Sequence, residues 1–113
     1  MGRLRERSLR QTEYLIAMAN DVLESFGVVV ATPRRAQDRG GHVALAHAEA
    51  SRLNRALKDR GVVPDYRPPD LVRFGPHPLY TSFEEIAQSL LILRDILQTD
   101  QHLGYPPERE EVG

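Results

Sequence analysis

A chain of 113 residues, 41% hydrophobic and 27% charged, has the apolar content for one folded core and too much of it for a disordered segment. Its formal net charge of -1 gives no general attraction to nucleic acid, no apolar run approaches the length of a membrane span, and the start MGRLRERSLR lacks the apolar stretch of a secretion signal, so a cytoplasmic location is expected. Zero cysteines exclude disulfides, thiolate catalysis and cysteine-ligated metals.

Over residues 4–26, Leu15, Met18, Ala19, Val22, Leu23 and Phe26 recur at helical spacing, which predicts an amphipathic helix stopped by Gly27. Two starts fit: one reaching back through the arginines to Leu4, the other at Ser8, where Gln11 would complete a capping box. Arg3, Arg5, Arg7 and Arg10 have no aromatic residues among them, so they read as a solvated helix face, and no nucleic-acid partner is expected.

The β-branched run at residues 28–31, closed by Thr32-Pro33, predicts a strand, and the polar stretch 34–41 with its glycine pair predicts a turn. HVALAH at residues 42–47 then returns as a second, antiparallel strand. A second helix is expected over residues 48–60, with Ala50, Leu53, Ala56 and Leu57 on its apolar face, Lys58 and Arg60 suiting the dipole of its last turn, and Gly61 beyond its end. Val62 and Val63 begin a strand that Pro64 interrupts, Arg67-Pro68-Pro69-Asp70 makes a stiff turn, and residues 71–74 form the next strand.

A third helix follows from a capping box of Thr81 with Glu84 or of Ser82 with Glu85. Phe83, Ile86, Ala87, Leu90, Leu93 and Leu97, with Ile96 at the edge, give it an apolar stripe to about Thr99. LGYPPEREEVG reads as a loose, proline-broken end, so a domain over residues 1–106 is followed by an acidic flexible tail at 107–113. The order predicts an α+β fold of two layers, a small and largely antiparallel sheet with helices packed on one face.

Most polar residues have a plain explanation. His42, His47, His77 and His102 are the only nitrogen donors for a transition metal, and His42 and His47 fall on opposite faces of one strand, so no metal is expected. The glycines of Arg39-Gly40-Gly41-His42 precede a strand, whereas a phosphate loop lies before a helix. Glu84-Glu85 and Glu110-Glu111 are a helix start and tail charge, and Ser82 is a cap. Arg73 differs: Val72 and Phe74 can face the helices, which leaves Arg73 on the other face, held by a strand and by the Gly75-Pro76 turn. A guanidinium so placed suits two-pronged capture of a carboxylate, the alternative being a pairing with a nearby acid or water.

The runs RGGHVALAHAEA, ALKDRGVVPDYRPPD and LVRFGPHPLYTSFEEI resemble the C-terminal part of the kynureninases, in particular the bacterial branch, over nearly the whole chain. The most specific element is an arginine followed by Pro-x-Pro-Leu-Tyr-x-Ser-Phe. Arg-Gly-Gly-His stands where many members carry Arg-Gly-Ser-Gln, and Gly75 where many carry alanine. The resemblance implies the small domain of an aminotransferase-like, pyridoxal-phosphate-dependent homodimeric hydrolase of tryptophan catabolism. That family cleaves L-kynurenine or 3-hydroxykynurenine to anthranilate, or its hydroxy form, and L-alanine. It also implies that Arg73 grips the substrate α-carboxylate.

The same resemblance places the Schiff-base lysine and the cofactor's phosphate site in a large domain that this chain does not contain. Lys58 is the only lysine here, so the chain alone is expected to bind no pyridoxal phosphate and to lack activity, with the large domain as its natural partner. The alternatives are a free-standing carboxylate-binding domain around Arg73, or a self-associating one whose bare interface seeks a second copy. No membrane partner is expected.

Overall fold

The computed structural model describes residues 2–32 and 41–107; the turn expected over residues 34–41 and the tail expected over 107–113 lie almost wholly outside the described residues. Helix α1 spans Gly2–Leu23, so the start that runs back through the arginines is the one adopted. Ser8 is no cap: the Thr12 hydroxyl donates to the carbonyls of Ser8 and Leu9 within the helix. The Gln11 amide turns away to donate to the Thr81 carbonyl at 2.8 Å. With no acid in its first turn, α1 gains nothing from its dipole there and is held by the burial of Leu15, Ile16, Ala19 and Leu23. A 3-10 turn, Glu24–Phe26, closes on Gly27, whose φ of 82° is the left-handed conformation that glycine adopts without strain.

Four strands follow in two hairpin-like pairs: β1 (Val29–Val30), β2 (Val43–Ala46), β3 (Asp65–Arg67) and β4 (Leu71–Phe74). The third departs from the expectation. Pro64 has no N–H to give a ladder, so the strand begins after it at Asp65, and Val63 is left largely exposed. All pairings are antiparallel, in the order β1-β2-β4-β3. Helix α2 (Ala50–Asp59) joins β2 to β3, with Ala50, Leu53, Ala56 and Leu57 buried as the spacing predicts.

Helix α3 (Phe83–Thr99) uses the second of the two capping boxes. The Glu85 N–H donates to Ser82 Oγ and the Ser82 N–H to Glu85 Oε1, both at 3.0 Å. Ile86, Leu90, Leu93, Ile96 and Leu97 are buried, while Phe83, expected in the core, is 38% exposed and meets the edge of Tyr14 with ring centroids 5.4 Å apart. Residues 101–105, beyond α3, are better anchored than the following prolines suggest. A 3-10 turn at Gln101–Gly104 buries His102, and the Tyr105 hydroxyl donates to the Asp59 carboxylate at the end of α2.

The result is the expected two-layer α+β domain. Val43, Leu45, Val72, Phe74 and Tyr66 line the sheet face that packs on the helices, forming one core with Leu15, Leu53, Leu57 and Leu90. The other face carries Val29, Ala44, Ala46, Leu71, Arg73, Asp65 and Arg67, all partly or fully exposed.

Candidate functional site

Arg73 lies in β4, paired on both sides, with Ala44 of β2 opposite it on one flank and Asp65 of β3 on the other. Directly opposed residues of antiparallel strands share a face, so these three side chains leave the sheet together, away from the core. Ala44 is too small to compete for space, and the arginine side chain keeps 30% of its surface exposed.

Asp65 meets the guanidinium first. Its Oδ2 accepts from Arg73 Nη2 at 2.6 Å, and the same oxygen accepts from Arg67 Nε at 3.1 Å and Nη2 at 2.9 Å. The hydrogen bond from Arg73, reinforced by Arg67, holds the Asp65 carboxyl below the usual carboxylate range. The alternative read from sequence, an arginine paired with a nearby acid, is therefore met in this structure. The pairing is one nitrogen to one oxygen, however, and Arg73 Nε is buried with no acceptor. Most of the fork remains uncommitted.

Arg73 is among the residues lining a cavity of about 430 Å³, within the range of small-molecule sites. Asp65, His42, Thr81, Glu85 and Ser89 give it polar groups, and Leu15 and Ile86 give it apolar wall. The segment between β4 and α3 forms one side and is tied down by its own hydrogen bonds. The His77 N–H donates to Thr81 Oγ1 at 2.9 Å, the Thr81 N–H to the His77 carbonyl at 2.9 Å, and Gln11 reaches the Thr81 carbonyl from α1.

His42 sits over Gly75. The β2–β4 register, continued one pair beyond Val43 and Phe74, sets these two residues opposite each other on Arg73's face. A Cβ at position 75 would stand 2.7 Å from His42 Cδ2 and 2.9 Å from Nε2, closer than atoms pack, so the ring occupies space that only glycine leaves.

The remaining candidates stay apart from this site. His47 and His102, distant in sequence, meet edge to face with centroids 6.3 Å apart. His47 Nδ1 accepts from the Glu49 N–H at 2.9 Å, which leaves Nε2 to donate to the Phe26 carbonyl at 3.1 Å, and burial pushes its pKa down. Both ring nitrogens are thus engaged by backbone. Among the described residues no group of three or more histidines and acids gathers as a metal site. Lys58 is on the exposed last turn of α2 and is absent from the cavity lining.

Asp65, His42 and Gln11 were not legible as site residues from composition or periodicity. A signal for Asp65 existed: the turn at residues 68–70 sets Arg67 opposite Leu71, and counting outward sets Asp65 opposite Arg73. Gln11 left no local signal, because its partner is 70 residues away.

Comparison with known proteins gives the family of the chain. The family model for the kynureninase C-terminal domain matches residues 4–93, which include every site residue named above. The chain is 42% identical over 110 residues to the kynureninase of Bacillus thuringiensis subsp. konkukian and 39% identical over 110 residues to that of Geobacillus thermodenitrificans. Each match covers 97% of this chain and 26% of the relative. A kynureninase from Shouchella clausii is 31% identical over 109 residues, covering 96% of this chain and 25% of that protein. The chain spans about a quarter of the length of the curated relatives it matches. With the matched residues running from α1 through most of α3, the chain belongs to the kynureninase C-terminal domain family.

Proposed function

We propose that this chain forms one wall of a kynureninase active site. Its role is to bind the α-carboxylate of L-kynurenine or 3-hydroxykynurenine through Arg73 while the rest of such an enzyme carries the pyridoxal phosphate and the bond cleavage. The single observation that carries this reading is Arg73 itself. It is a strand-borne guanidinium with an uncommitted fork, in a residue that also lines a cavity of about 430 Å³. Hydrolysis would give anthranilate, or its hydroxy form, and L-alanine.

The residues present do not fit the cofactor. A Schiff base needs a lysine amine in the site, the cavity lining contains none, and the sequence's one lysine is on a helix end elsewhere. No step is therefore assigned to this chain beyond binding and orienting the substrate. Held by its carboxylate, a substrate would present its reacting carbons in one orientation, and such positioning is worth several powers of ten in rate. Val63 on the cavity lining, and Leu79 and Tyr80 in the segment leading to Thr81, are 77%, 59% and 80% exposed and supply apolar surface for the remainder of the enzyme, or a second subunit, to cover.

The test is a transplant. The chain replaces the matching C-terminal quarter of the Geobacillus thermodenitrificans kynureninase, and kynurenine cleavage is followed by the fluorescence of anthranilate. The chimera is expected to be active, and Arg73→Ala in it to lower kcat/KM by about a hundredfold or more, the scale of losing a charged hydrogen-bonded contact. A folded chimera indifferent to Arg73→Ala would overturn the assignment. The free chain is expected to show no cleavage and to lose added pyridoxal phosphate on desalting.

A further inference from the structure

The two arginines on one aspartate oxygen require an explanation that the carboxylate clamp alone does not give. An arginine on a sheet surface with solvent around it samples many rotamers, and a ligand that captures it must first restrict them. Here the guanidinium is already held: Asp65, directly across the ladder, takes Nη2 at 2.6 Å, and Arg67, two residues along the same strand, holds Asp65 from the other side at 2.9 Å. The contact uses one guanidinium nitrogen and one carboxylate oxygen, so it tethers the guanidinium without filling its fork. Charge tells the same story. Arg67, Asp65 and Arg73 together carry one net positive charge, which one further carboxylate would balance. Glu85, the other acid on the cavity wall, is committed to the Ser82 N–H in the α3 cap.

We infer that Asp65 is the positioning residue for Arg73, an internal partner that pre-sets the guanidinium for an incoming α-amino carboxylate and is itself steadied by Arg67. The inference rests on the reading of Arg73 as a carboxylate site, yet the ordering of Arg73 can be measured without any ligand. Asp65 is half exposed on a short edge strand, so its replacement leaves the core untouched.

The experiment uses the 113-residue chain labelled with nitrogen-15, its fold checked by the backbone amide spectrum. Relaxation of the Arg73 Nε–Hε pair reports guanidinium order, and titration with L-alanine reports affinity. Arg73 is expected to be ordered in the parent and in Asp65→Glu, and disordered in Asp65→Ala. L-alanine is expected to bind Asp65→Ala about tenfold more weakly than the parent, with Asp65→Glu restoring most of the loss. An Arg73 equally ordered in Asp65→Ala overturns the inference. So does tighter binding of L-alanine by that variant, which would make Asp65 a competitor for the fork instead of its support. If the parent and Arg73→Ala bind L-alanine alike, the carboxylate reading falls, while relaxation in the ligand-free chain still decides whether Asp65 orders Arg73.

Discussion

Replacing Gly75 by alanine tests the close approach of His42 in a form that gives different outcomes in two backgrounds. Gly75 is outside the left-handed region and precedes a proline, so its backbone suits alanine, and the substitution by itself should stabilise by about 0.4–1 kcal/mol through the unfolded chain. The new Cβ would stand 2.7 Å from His42 Cδ2, against an ordinary carbon contact of about 3.5–4 Å, so the ring must retreat by about 1 Å. His42 is exposed and has room to swing, and leaving its preferred rotamer costs about 0.5–1.5 kcal/mol. The two effects nearly cancel in the parent. In a His42→Ala background only the gain remains. A double-mutant cycle read by urea unfolding, followed by far-ultraviolet circular dichroism because the chain has no tryptophan, should therefore show a coupling of about 1 kcal/mol. Additivity within about 0.3 kcal/mol would refute the contact. The same cycle tests whether the histidine and the glycine, cross-strand neighbours, accommodate each other.

Other outcomes follow from single interactions. Because burial lowers the His47 pKa, the unfolded chain takes up this proton more readily, so stability should be level above about pH 6.5 and fall as pH drops below it. His47→Gln should flatten that part of a urea-midpoint profile between pH 5 and 8, and an unchanged slope would place the linkage elsewhere. Ser82→Ala removes half of the α3 capping box and should cost about 1 kcal/mol in the same unfolding assay, with Glu85→Ala adding little in that background. Leu90→Ala empties a fully buried position and should cost about 2–5 kcal/mol, a large share of a small domain's stability.

Local chemistry explains where sequence reading succeeded. Glycine at 27 and the apolar face of α2 are decided within a few residues and are found as written, while of the two capping boxes offered for α3 the Ser82–Glu85 one forms and the apolar face is met except at Phe83. The antiparallel layers followed because strand length, β-branched content and helix spacing all agree there. Misreadings arose where a distant partner outcompeted a near one. Gln11 leaves its neighbour Ser8 for a carbonyl 70 residues away, and Phe83 gives up the core for the edge of Tyr14. Tyr105 anchors a segment whose prolines suggested looseness by finding Asp59, 46 residues back. The site follows the same division. Arg73's direction out of the core was readable from the alternation of residues 72–74, but Asp65, His42 and the cavity come together only once β2, β3 and β4 are in register.

That register gives the site a particular relation to time. β4 is flanked on both edges, by a strand that precedes it across α2 and by one that leads directly into it. The first pairing closes a long stretch of chain and the second a short hairpin, so β3 and β4 can meet early, while β2 docks only when α2 has folded over the core. The arginine and its aspartate would then find each other before the cavity has its far wall. Once complete, β4 has no free edge from which to fray, and its amides should exchange with solvent only when the whole domain opens. Loss of the wall that carries Arg73 should accordingly be an all-or-none event of the domain rather than a local fluctuation of the strand.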